Sequence, residues 1–191
     1  MTQEHLGIQR VTLRRATIDD AERICAWRAE PSARRYQPLR QIPLEAVRDL
    51  IAFRARTPVG PDARGQLQWV IEAPEGPVGW LSVTIDDDDR DHGIGSIGYT
   101  VGEAYRGKGY ATAAVAALLP IAFDPKRLNL ERLEILAAVD NIASRRVAEQ
   151  NGFQLEGILR GLFVINGERV DHALYALLRS DWLAAQGSSP E

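Results

Sequence analysis

The sequence predicts an α+β protein whose mixed sheet is mostly antiparallel around one splayed parallel strand pair. Three observations lead there. Helical apolar spacing is concentrated between residues 19 and 56, the period falls to two in the runs that follow, and a Gly-rich turn past the midpoint joins a strand to a helix and then to another strand.

Val11 to Ala16 alternates apolar and basic residues and reads as a first strand. Asp19 to Glu30 reads as a helix capped at Thr17 or Asp19 and stopped by Pro31. Pro43 to Arg56 is a second helix, with Leu44, Val47, Leu50 and Ile51 on one face. Gln66 to Glu72 and Val78 to Ile85 are two strands joined by the turn at Pro74–Pro77. The run Asp86-Asp87-Asp88-Asp89, with Asp91, is too charged for a core and is expected to be a loop. Ile94 to Val101 is the fourth strand. Ala111 to Phe123 is a helix, Arg132 to Val139 a fifth strand, and the crossover between the fourth and fifth strands is expected to be right-handed. Ile142 to Gln150 is a short helix closed by Asn151-Gly152. Phe153 to Arg160 and Arg169 to Leu177 complete the pattern as late strands. With no internal repeat or linker, residues 1–185 are expected to form one domain and 186–191 a frayed tail.

A net charge of −3 and a pI near 5.7 give no general pull toward nucleic acid or an anionic membrane. No apolar run is long enough to span a bilayer, and the polar first ten residues lack the apolar centre of a signal peptide, so the cytoplasm is the expected location. Cys25, the single cysteine, lies in an apolar-periodic segment and reads as a buried structural thiol. No pattern suggests a metal site.

Tyr105-Arg106-Gly107-Lys108-Gly109-Tyr110-Ala111 stands between a strand and a helix. A helix N-terminus presents unpaired N–H groups to an anion, and its dipole favours negative charge. Two glycines let a phosphate approach the backbone, and Arg106 and Lys108 add positive charge. The string lacks the Gly-x-x-x-x-Gly-Lys-Ser/Thr of a P-loop, and it comes too late for an N-terminal dinucleotide fold.

Arg106, Gly109 and Ala111 at this junction match the Arg/Gln-x-x-Gly-x-Gly/Ala signature of the GNAT superfamily, which the chain resembles. Asn141-Ile142-Ala143-Ser144-Arg145-Arg146 and Asn151-Gly152-Phe153-Gln154-Leu155-Glu156-Gly157 look like the ribosomal-protein alanine N-terminal acetyltransferase (RimJ/RimL-type) branch, and weaker similarity reaches Leu13-Arg14-Arg15-Ala16. The resemblance implies a GNAT-like acyl-CoA N-acyltransferase fold and transfer of an acetyl group from acetyl-CoA to a primary amine. The amine would belong to a protein N-terminal residue or a small amino compound. An antibiotic- or polyamine-modifying acetyltransferase and a non-catalytic acyl-CoA sensor are the alternatives. It implies that Arg106, Gly107, Lys108, Gly109, Tyr110, Ala111 and Thr112 hold the pyrophosphate of CoA. Tyr99, Thr100 and Val101 would line the pantetheine arm from the fourth strand, with Asn141, Ser144 and Arg146 on the other side. A homodimer is a common assembly of such folds.

Direct transfer needs a neutral amine, a polarised carbonyl and a proton for the departing thiolate. The Val101 N–H is a candidate donor to the carbonyl oxygen, and Ser144 the candidate hydrogen-bond partner of the thiolate. Many relatives carry Glu early in the fourth strand, where this chain has Ser96, so the base stays open among Glu134, Glu103, Asp171, His172 and ordered water. The Asp86–Asp91 run would attract a cationic acceptor or be a solvated hairpin. Trp27, Trp69 and Trp80 are expected in the core, and the resemblance puts Arg34-Arg35-Tyr36 on an acceptor-side wall.

Overall fold

The computed structural model describes residues 10–85 and 93–187. The aspartate run from Asp86 to Asp91 therefore lies outside the described residues. Seven strands form one sheet: β1 (Thr12–Arg15), β2 (Gly65–Ala73), β3 (Gly76–Ile85), β4 (Ile94–Val101), β5 (Arg132–Ala138), β6 (Gln154–Ile165) and β7 (Glu168–Leu178). Their order is β1-β2-β3-β4-β5-β7-β6, and only β4 and β5 run parallel. The helices are α1 (Ala21–Ala29), α2 (Pro31–Arg34), α3 (Leu44–Ala55), α4 (Tyr110–Phe123), α5 (Ile142–Gln150) and α6 (Arg179–Gly187).

Alternation along the strands sorts the apolar residues into two cores. Leu67, Trp69 and Ile71 of β2, with Leu81 and Val83 of β3, face α4 and α5 in the larger core. Val70 and Trp80, one position out of phase, face α1 and α3 with Trp27, Ile24, Val47 and Ile51. The three tryptophans are thus core residues. Cys25 is only half-buried, where a fully buried thiol was expected.

Several local rules are obeyed. Thr17 and Asp20 form a capping box, and Arg14 grips the Asp20 carboxylate with two hydrogen bonds of 2.9 Å. The end of α5 is a Schellman turn: Gly152 (φ 83°) donates to the Glu149 carbonyl and Phe153 to that of Ala148. Asn166 and Gly167, both at positive φ, make the tight turn that pairs β6 with β7.

Three features depart from the sequence expectation. Pro31 ends α1 but also opens α2, since its missing N–H is harmless in a helix's first turn. Strand β6 runs on to Ile165, through register shifts between Leu155 and Gly157 and between Leu159 and Phe163. Finally, Gln186 and Gly187, expected in a frayed tail, belong to α6, which Trp182 pins against Phe123 at a ring separation of 5.5 Å. No helix among the described residues is long and apolar enough to cross a membrane.

The sheet's most important irregularity is between its parallel strands. Pairing of β4 with β5 runs from Ile94↔Arg132 to Ile97↔Ile135 and then stops, although β4 stays paired with β3 as far as Val101. Close packing holds that end of β4 in place: a Cβ on Gly79 would meet the Thr100 carbonyl oxygen at 2.2 Å. Gly79→Ala is expected to destabilise the fold by ~1–3 kcal/mol, as overpacking does. Thermal unfolding would show this as a melting temperature lower by roughly 3–10 °C.

Candidate active site

Four pieces of backbone meet where β4 and β5 part. They are the end of β4, the loop from Arg106 to Gly109, the start of α5, and the segment between α2 and α3. The Gly102 N–H donates to the Val78 carbonyl at 2.9 Å, so the even-numbered residues of β4 bond to β3. The amides of Tyr99 and Val101 therefore point toward the gap. Their carbonyls are already engaged: Gln37 Nε2 donates to that of Tyr99 and Arg106 Nε to that of Val101, both at 2.9 Å.

The loop that follows is a cradle. Gly107 (φ 75°) and Gly109 (φ 79°) adopt the left-handed conformation, and a Cβ on either would meet nothing within 4 Å. Gly109 is the N-cap of α4, and the first intrahelical bond runs from the Ala113 N–H to the Gly109 carbonyl. The amides of Tyr110, Ala111 and Thr112 thus open the helix, as an oxyanion ligand requires. The donor set fits the pyrophosphate of CoA, with the β4 amides positioned for carbonyls along an extended arm.

Side chains around the cradle are held away from its floor. Glu103, which would repel phosphate, is turned to accept from the Ser32 N–H (3.2 Å) and hydroxyl. Arg106 lies 3.7 Å from Glu30, which accepts from the Glu103 N–H at 3.0 Å. Burial pushes the Glu30 carboxyl up, and this N–H and Arg106 oppose the shift. Lys108 stands 3.7 Å from Glu75, which also accepts from the Tyr110 hydroxyl. Thr112 donates to Gln150 at 3.0 Å, and Arg146 is exposed on α5.

Across the gap, the Asn141 side chain caps α5 by accepting from the Ser144 N–H at 3.2 Å. Arg145 donates to the Tyr175 hydroxyl at 3.1 Å and Tyr175 to Glu149 at 2.7 Å, which fixes α5 on the sheet. Ser144 consequently faces Tyr99, with 2.8 Å between their hydroxyl oxygens. Burial pushes the Tyr99 phenol up to about 12, with the Ser144 bond opposing it, so Tyr99 keeps its proton at neutral pH. A neutral Tyr99 that donates to Ser144 leaves the serine's own proton free to be donated into the gap.

Two of the sequence candidates for a base, Glu134 and His172, are placed differently. Glu134 is the register partner of Ser96 and accepts from Arg132 at 2.7 Å, while Arg132 also clasps Glu156. It stands four residues before Ala138, roughly 13 Å along the strand. His172 pairs directly with Ala138 at the end of β5, on the α1–α3 face. It is 2% exposed, with Nδ1 3.0 Å from the Val170 carbonyl and its ring perpendicular to that of Phe163. Asp171 accepts from the Gly161 N–H at 2.7 Å. Thr100 is buried on that same face with no hydrogen-bond partner for its hydroxyl among the described residues.

Residues 10–154 match the acetyltransferase (GNAT) domain family. The chain belongs to the GNAT acetyltransferase family. Among this GNAT chain's relatives is an uncharacterized N-acetyltransferase, p20, of Bacillus licheniformis, 26% identical over 180 residues that cover 94% of this chain and 98% of the relative. The [ribosomal protein uS5]-alanine N-acetyltransferase of Escherichia coli is 29% identical over 86 residues, 45% of this chain and 43% of that enzyme. The spermidine N-acetyltransferase of Vibrio cholerae, solved with CoA and spermine, has the same fold: TM-score 0.77 at 22% identity, covering 91% of this chain and 98% of the other. The GNAT chain is accordingly an acetyl-CoA-dependent N-acetyltransferase, with the fold class and cosubstrate that the resemblance implied.

Sequence reasoning named Tyr99 for the arm but missed its bond to Ser144. It also missed Gln37, Glu30 and Glu75. Gln37 carried no local signal, because its role depends on a strand end 62 residues away.

Proposed function

We propose that this acetyltransferase acylates a primary amine, of a protein N-terminus or a small amino compound, by direct attack, with the hydroxyls of Tyr99 and Ser144 handling the departing sulfur's proton. When bound, acetyl-CoA supplies the activated acetyl group. The amides opening α4 and the backbone of Gly107 and Gly109 hold the pyrophosphate, and the N–H groups of Tyr99 and Val101 hold the arm and polarise the acyl oxygen. The Ser144 hydroxyl donates toward the sulfur while Tyr99 donates to Ser144. His172 of β7, beside Ala138 at the end of β5, is better placed than the ion-paired Glu134 to receive the amine's proton through water.

The observation that carries this reading is the 2.8 Å bond between Tyr99 and Ser144, set beside an unpaired strand end and a glycine cradle. Thiol release should be followed in wild-type protein across peptide N-termini and small amines, alongside melting with and without acetyl-CoA. At a ligand concentration 100 times Kd the expected stabilisation is about 2.7 kcal/mol. In a chain of this size that raises melting by roughly 5–10 °C. No shift at millimolar acetyl-CoA would sink the proposal.

A further inference from the structure

On the α1–α3 side of the divergence, a cavity of about 380 Å³ opens between the segment after α2 and the β6–β7 hairpin. That volume suits a small ligand. Arg34, Gln37, Arg40, Val164, Ile165 and Asn166 line it, and no carboxylate among the described residues does. Gln37 joins it to the reactive end of β4, since the same side chain donates to the Tyr99 carbonyl.

Among the described residues the lining is positive and uncompensated. Neither Arg34 nor Arg40 has a carboxylate partner among the described residues, and the buried Nε of Arg34 has no hydrogen-bond partner. Two acids among the described residues near α2 are used elsewhere: Glu30 faces Arg106 and the Glu103 N–H, while Glu103 faces Ser32. Arg34 and Arg40 bring two guanidinium groups to this cavity, and a carboxylate matches the fork of a guanidinium. A polycation would meet like charge instead.

We propose that the acceptor is a primary amine that also carries a carboxylate, bound by Arg34 and Arg40 while its amine lies beside Tyr99 and Val101. This rests on the acetyl-transfer reading of the site and names its acceptor class. The carboxylate can belong to a free amino acid or to an acidic side chain near a peptide N-terminus, and turnover separates these two sources.

The test is thiol release by wild-type protein with free amino acids, their amides, peptides beginning with Asp or Glu, the same peptides beginning with Asn or Gln, and spermidine. At least a tenfold higher kcat/KM is expected for acids over matched amides in one of the two series, with spermidine poorest. Arg34→Ala and the exposed Arg40→Ala should each raise KM for the acids several-fold and by more than for the amides, and keep the melting shift with acetyl-CoA. Equal turnover of acids and amides, or a preference for spermidine, with the acetyl-CoA shift intact, would overturn the carboxylate assignment alone. Absence of that shift in wild-type protein would overturn the acetyl-transfer reading and this one with it.

Discussion

Gly109→Glu is expected to abolish stabilisation by acetyl-CoA while leaving a folded protein. Two effects act together. Gly109 sits at φ 79°, where a side chain brings a strain of ~1–2 kcal/mol. Its Cβ would project into space that no protein atom occupies within 4 Å, so a glutamate would fill the cradle at the N-terminus of α4 and present negative charge to a pyrophosphate. Affinity should fall at least a hundredfold, which removes about 2.7 kcal/mol of binding. Gly109→Ala separates the contributions, since it carries the strain without charge or bulk and should retain part of the melting shift. Arg106→Ala should weaken binding less than the glutamate variant, because that side chain is spent on the Val101 carbonyl and Glu30. Normal acetyl-CoA binding by Gly109→Glu would remove the cradle from the site.

The second large effect is expected at the other end of the arm. Ser144→Ala should lower kcat about a hundredfold with the acetyl-CoA melting shift preserved, the lower end of what a positioned proton donor contributes. Tyr99→Phe should lower kcat less, because it removes the partner of Ser144 while leaving the serine hydroxyl in place. If the two hydroxyls act as a unit, the double variant will be no slower than Ser144→Ala, and the effects will be far from additive. Full rate in Ser144→Ala would end the thiolate role. With the phenol pushed up to about 12, the rate should show no loss from Tyr99 ionisation below pH 10. The pH–rate profile checks this directly.

Ser144 was named through the family resemblance, and the capping of α5 by Asn141 was not foreseen. The Gly109 cradle was expected from a local rule, since a glycine before a helix can cradle an anion. The order of elements through β5 and α5 was readable from periodicity and breakers for the same reason. What could not be read depends on distant segments. Ser144 finds Tyr99 only because Arg145, Tyr175 and Glu149 lock α5 onto the sheet. Arg106 looked like a phosphate ligand by composition, yet its guanidinium turns back to the Val101 carbonyl and Glu30. Pro31 was ambiguous in principle, since proline both stops one helix and starts the next. The extension of β6 to Ile165 was hidden because its register shifts interrupt the two-residue alternation.

The gap between β4 and β5 also bears on how readily another strand could add to this sheet. An unpaired strand edge ordinarily invites another chain to add to it, because it offers N–H and C=O groups in alternation. Here Gln37 and Arg106 have taken the carbonyls of Tyr99 and Val101, so the edge offers mainly donors. An incoming β-strand needs both kinds of group, and it finds half of them spent. The side chains that shape the catalytic end of β4 thereby also blunt it as a template for aggregation.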